Sequence, residues 1–158
     1  MSKRQSDQGR RQAPDPLPYA VTHEVRDRCV CLFLQRAARA AARRFDEALR
    51  PHGLTNGQFS LLMALNRDEP AGLGSLAALL AMDRTTLTAN LKPLERRGLV
   101  RSLADPADAR RRRLRLTPAG RRLLVSALPI WQRMEEAEEQ MVGLAEAPGF
   151  RALLARLA

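Results

Sequence analysis

The amino-acid sequence predicts a mainly α-helical fold with one small β-hairpin set among the helices, an α+β arrangement. Three observations carry this. Apolar residues recur at helical spacing over most of the chain. Only two short stretches, Leu99 to Leu103 and Arg113 to Thr117, alternate in the β manner. Between them lies Ala104-Asp105-Pro106-Ala107-Asp108, which has turn composition. At 158 residues, with no internal repeat, one domain can bury a core without metal or disulfide help.

Taken in order, residues 1–20 read as a disordered basic arm, polar and punctuated by Pro14, Pro16 and Pro18. Residues 21–54 hold an N-terminal helix, one long pattern from Thr22 to Arg50 stopped by Pro51-His52-Gly53. Its apolar stripe (Val25, Cys29, Leu32, Phe33, then Ala40, Ala41, Phe45, Leu49) needs a partner surface, within the fold or across a dimer. Residues 55–118 form a central lobe. Thr55 caps a second helix with Phe59, Leu62, Met63 and Leu65 at helical spacing. After Glu69-Pro70-Ala71-Gly72 a third helix spans Ser75 to Leu80. Asp83 caps a fourth from Arg84 to Arg97, stopped by Gly98. The hairpin follows. Residues 119–158 are C-terminal helices. Thr117-Pro118 starts a long one that Pro129 is expected to kink, and Ala147-Pro148-Gly149 precedes a last helix from Phe150 to Leu157.

Charge narrows the function. The net charge is +10. From Arg84 to Arg122 there are 12 basic residues against three acids, Glu95, Asp105 and Asp108, so this stretch holds nearly all of it. Such clustering is the footprint of phosphate contacts. No apolar run approaches the ~18 residues of a membrane span. The N-terminus lacks a signal-peptide core, so the expected compartment is the cytoplasm, with no membrane partner. No Gly-rich phosphate loop, nucleophile elbow or clustered His, Asp and Glu set suggests an enzyme or a cofactor. Glu135-Glu136 and Glu138-Glu139 read as a solvated helix face.

The order helix, turn, helix, hairpin suits double-stranded DNA. One helix enters the major groove and another braces it across the backbone. In the fourth helix Leu87, Leu91 and Leu94 form the face to be buried. Opposite lie Thr85, Thr88, Ala89, Lys92 and Arg96, with Arg84 and Thr86 at the N-terminal end. That outward face carries no acid, so bases and phosphates can approach it. Pro93 should bend the helix near its C-terminus. The hairpin tip carries Arg110 to Arg113. By strand alternation Arg110 and Arg112 share one side, Arg111 and Arg113 the other, and Asp108 can hold Arg110. A narrow minor groove attracts such arginines. A non-specific architectural DNA binder would need the same charge, but not the small polar face of the fourth helix.

Several blocks of the chain resemble the MarR family. They are Leu76-Ala77, Asp83-Arg84-Thr85-Thr86-Leu87-Thr88, Leu94-Glu95-Arg96-Arg97-Gly98-Leu99-Val100, Asp108-Ala109-Arg110 and Leu116-Thr117-Pro118-Ala119-Gly120. The resemblance implies a winged helix-turn-helix lobe with N- and C-terminal helices for homodimerisation. The fourth helix would read the operator and Arg110 would enter the minor groove. It also implies repression of a pseudo-palindromic site, relieved by a small aromatic or phenolic ligand or by an oxidant. Ala81 departs from the glycine often found in the turn.

Cys29 and Cys31 resemble the hydroperoxide-sensing branch of that family, Cys31 matching better by spacing. Phe45 and Asn56 stand where that branch has tyrosines. Two readings stay open: a redox sensor, with Arg28 and Arg36 nearby, or two small packing residues. In a helix, residues two apart point about 200° apart, so a disulfide between them requires local unwinding. His23 with the two cysteines is a poor metal set, and no metal site is expected.

Overall fold

The protein is described by a computed structural model, which covers residues 17–106, 108, 111–143 and 147–157. Arg110 and most of the N-terminal arm lie outside the described residues. The chain forms two compact units, one ending at Ala37 and the other running from Ala38 to Ala158. No helix among the described residues is long and apolar enough to cross a membrane.

In the first unit, helix α1 (Tyr19–Arg28) buries none of its residues. Helix α2 (Val30–Leu49) begins two residues after α1 ends. The single helix expected from Thr22 to Arg50 is therefore broken at Cys29, whose backbone is extended (φ −73°, ψ 104°). The Cys29 N–H still donates to the Val25 carbonyl at 2.9 Å, and the Cys29 carbonyl accepts from the Phe33 N–H at 3.1 Å. The hydrogen-bond ladder thus continues on both sides of the break. Cysteine and valine are weak helix formers, but no glycine or proline accounts for the interruption.

In the second unit, α2 ends with Phe45 and Leu49 buried, and a 3₁₀ turn (Arg50–His52) closes on Gly53. Gly53 sits at φ 62°, the left-handed conformation that glycine adopts without penalty. Helix α3 (Asn56–Ala64) opens on a capping box. The Thr55 side chain accepts from the Gln58 N–H, and the Gln58 side chain accepts from the Thr55 N–H. Strand β1 (Ala71–Gly72) leads into α4 (Leu73–Leu79), two residues earlier than the pattern from Ser75 suggests. Helix α5 (Arg84–Arg96) runs through Pro93 and ends before Gly98, at φ 67°. Strands β2 (Val100–Ala104) and β3 (Arg112–Leu116) form the hairpin, and β1 adds to it in the order β1-β3-β2, all antiparallel. Helix α6 (Pro118–Val142) continues through Pro129, and α7 (Ala147–Ala155) starts three residues before the Phe150 start expected. Proline is tolerated in a helix's first turn, so Pro148 does not delay it.

The core is built from leucine. Leu49, Leu61, Leu62, Leu65, Leu76, Leu87, Leu94 and Leu114 are fully buried, joining α3, α4, α5 and the sheet, with Leu124 and Ala127 of α6 packed on them. This gives α5 a rigid floor and leaves its other face free.

The turn between α4 and α5 carries a backbone irregularity. Ala81 has φ 49°, the only non-glycine residue in the left-handed region among those described. A Cβ is disfavoured there by roughly 1 kcal/mol or more. Ala81→Gly is therefore expected to stabilise the fold by up to about 1 kcal/mol. Urea denaturation checks this through a higher midpoint at unchanged slope.

Candidate nucleic-acid interface

The start of α5 is fixed by its cap. The Asp83 carboxylate accepts from the Thr86 N–H at 2.8 Å and from the Thr86 hydroxyl at 2.7 Å. These bonds, the backbone one first, hold the Asp83 carboxyl below the usual carboxylate range. A depressed pKa means a contribution to stability that is complete above about pH 4 and is lost as pH falls through the folded-state value. Thermal melts should be flat across neutral pH in this respect and fall in acid. Asp83→Asn should remove part of that acid-side loss, measured by circular dichroism over a pH series.

The end of α5 is tied down as well. The Arg97 guanidinium donates to the carbonyls of Gly53 (2.5 Å) and His52 (3.1 Å). Midway, the Asn90 side chain donates to the Thr86 carbonyl at 3.0 Å, and Gly57 of α3 lies against it. A Cβ on Gly57 would come within 3.0 Å of the Asn90 Oδ1.

The sequence-chosen face of α5 lies on the outside. Arg84, Thr85, Thr86, Thr88, Lys92 and Arg96 are all exposed, while Leu87, Leu91 and Leu94 are buried. The Thr88 hydroxyl donates to the Arg84 carbonyl at 2.7 Å, leaving its lone pairs outward as acceptors. The Thr86 hydroxyl proton is likewise committed, to the Asp83 carboxylate of the cap.

Beside this face lies a hollow of about 750 Å³, lined by Gly72 to Ser75, Arg84, Leu87, Thr88, Asp105, Arg111 and Arg112. It brings the α5 residues Arg84 and Thr88 together with Arg112 of the hairpin. Arg111 joins them, which corrects the expected alternation. Arg111 precedes β3, so the two-residue period does not yet govern it. Arg113 does obey the period. Its Nε lies 2.8 Å from the Asp105 Oδ2, and that bond raises the guanidinium pKa. Asp108 is 3.3 Å from Arg111, while its expected pairing with Arg110 falls outside the described residues. Asp105 is thus neutralised and the hollow is left cationic. A phosphate backbone can lie along it. Arg111 and the Gly72–Ser75 segment were missed in the sequence. The run of four arginines signalled the first, and nothing local signalled the second.

The cysteines lie elsewhere. Cys29 is half-buried at the helix break and Cys31 is exposed, with the Gln35 amide donating to its Sγ at 3.3 Å. Arg28 is paired with Glu24 at 2.7 Å. Among the described residues no group of three potential metal ligands, His23 included, comes together.

Known proteins resemble this arrangement. The MarR family profile matches residues 54–111. The HTH-type transcriptional regulator SarZ of Staphylococcus haemolyticus is 30% identical over 91 residues, which is 58% of this chain and 62% of that protein, less than two thirds of its length. The transcriptional regulator HosA of Escherichia coli O157:H7 is 38% identical over 96 residues, 55% of this chain and 70% of HosA. The crystal structure of the M. tuberculosis transcriptional regulator MosR in complex with DNA superposes with a TM-score of 0.73 at 42% identity. That match covers 82% of this chain and 92% of MosR.

Proposed function

Because the chain belongs to the MarR family, we propose that it is a sequence-specific transcriptional repressor that binds a pseudo-palindromic operator as a homodimer. The observation that carries this is the exposed, acid-free face of α5 beside a hollow lined by Arg84, Arg111 and Arg112. Solubility alone would call for mixed charges there. Arg84, Thr85, Thr88, Lys92 and Arg96 contact the major groove, and Arg110 and Arg112 serve the wing, Arg110 in the minor groove. DNA is the partner of the related MosR complex. Dimerisation uses the terminal helices. In support, Val25, Val30 and Phe33 are at least half exposed in the first unit, and Val125, Leu128, Trp131 and Leu153 are exposed in the second.

Release by oxidation is the second part of this reading, and the break at Cys29 favours it. A helical Cys29 would face away from Cys31, and the extended backbone removes that restriction. A hydroperoxide would take two electrons and two protons from the two thiols, giving a disulfide, an alcohol and water.

Fluorescence anisotropy on the chain's own upstream DNA and on a scrambled duplex tests both parts. Affinity for the first should exceed the second by ~10³ or more. Binding should collapse with organic hydroperoxide or diamide and return with reductant. Equal binding to both duplexes would make the protein an architectural binder. Specific binding indifferent to oxidant would make the cysteines packing residues and leave release to a small aromatic or phenolic ligand.

A further inference from the structure

Arg101 and Arg115 are direct cross-strand partners in the β2–β3 pairing. Like charges placed opposite each other destabilise a hairpin. Among the described residues no acidic side chain relieves this pair. No described carboxylate lies within ion-pair distance of Arg101, Arg115 or Arg121. One Arg115 nitrogen donates to the Asp68 carbonyl at 2.7 Å, which orients the side chain but leaves its charge. The three arginines line a second hollow of about 420 Å³ with Leu116, Thr117 and Pro118. Arg101 and Arg121 are exposed.

The strand register sets where this surface faces. Arg112, Leu114 and Leu116 share one side of β3, toward the core and, at Arg112, the hollow beside α5. Arg113 and Arg115 point to the other side. A hairpin whose tip meets a duplex presents two faces to it, one toward α5 and one outward along the DNA. The outward face is the one carrying the unrelieved charge.

We propose that Arg101, Arg115 and Arg121 form a second phosphate clamp, which engages the backbone of duplex DNA flanking the base pairs read by α5. The inference rests on the DNA-binding reading above. Guanidinium groups suit it because each can donate two parallel hydrogen bonds to a phosphate. The clamp carries no base readout, so it lengthens the footprint without changing the recognised sequence.

The test compares two duplexes from the chain's own upstream DNA. One is trimmed to the base pairs read by α5 and the hairpin tips, and the other carries about ten further base pairs of arbitrary sequence on each side, roughly one helical turn. The wild-type protein should bind the longer duplex about tenfold more tightly. Its salt slope should be steeper by about 2 or more, each phosphate adding about 0.9. The double variant Arg101→Gln with Arg121→Gln should bind both duplexes alike, with trimmed-operator affinity kept. Arg101→Glu guards against misfolding. It turns the repulsive pair into an attractive one, so its melting temperature should hold or rise while the length preference disappears. A wild-type protein indifferent to duplex length, or variants that keep the preference, would overturn the clamp. If neither duplex is bound over scrambled DNA, the sequence-specific reading itself fails, and with it a clamp that flanks recognised base pairs.

Discussion

Alanine at both Arg84 and Thr88 is expected to lower operator affinity by ~10² to 10³-fold while changing affinity for random DNA less than ~10-fold. Both side chains are exposed on α5 and line the cationic hollow. Arg84 begins the helix, and a bidentate arginine–guanine contact discriminates by about 1–3 kcal/mol. Thr88 offers its hydroxyl as an acceptor, because its proton is held by the Arg84 carbonyl at 2.7 Å. It therefore suits an amino group on adenine or cytosine. Losing both contacts removes discrimination more than attraction, because Lys92, Arg96, Arg111 and Arg112 remain for the phosphates. Anisotropy at one fixed salt concentration, on operator and scrambled duplexes, checks the ratio. Equal loss on both would mean that α5 supplies charge and no readout. The fold should not move, since neither residue is in the core.

Gly120→Ala is expected to destabilise the protein by roughly 3 kcal/mol, at the upper end of what overpacking does. Gly120 is buried in the first turn of α6, where that helix crosses the hairpin. A Cβ there would collide with the Leu99 carbonyl oxygen and come within 2.7 Å of the Leu116 Cδ1. The first of these is backbone and cannot swing aside. It is also engaged, accepting from the Thr117 N–H at 3.0 Å and the Thr117 hydroxyl at 3.1 Å. The Thr117 side chain in turn caps α6 through the Gly120 N–H at 3.1 Å. The substitution thus disturbs the hairpin, the cap and the helix seating together. Chemical denaturation should show a lower midpoint. Gly149→Ala is the control, because no atom of the described residues lies within 4 Å of a Cβ at that position.

Local signals explain what could be read before the structure. Asp83, the Leu87-Leu91-Leu94 spacing and Gly98 bound and orient α5 within one segment, so sequence placed both its ends and its faces. The hairpin was legible because alternating residues flank a turn, and its boundaries moved by one residue. What escaped was either too short or too distant. Strand β1 has two residues, Ala71 and Gly72, too few for a period, and exists only through pairing with β3. The tie from Arg97 to the His52 and Gly53 carbonyls spans more than forty positions. So does the ion pair of Arg44 with Glu138 at 2.7 Å, which turns one of the acids read as a solvated face into a link between α2 and α6. The break at Cys29 carries no sequence mark at all. In the candidate interface, the α5 residues were legible because a helix sorts its own faces. The contribution of Gly72 to Ser75 was not, because tertiary packing brings it there.

Hydroxyl-radical footprinting of the reduced protein on its own upstream DNA tests the central claim most directly. A dimer reading a palindrome should protect two symmetry-related major-groove segments about one helical turn apart, ~10–10.5 base pairs, with minor-groove protection outside them from the hairpin tips. Alanine at Arg84 and Thr88 should erase the central pattern at unchanged salt. A uniform ladder of weak protection, with no two-fold symmetry and no dependence on those residues, would contradict sequence-specific recognition by this chain.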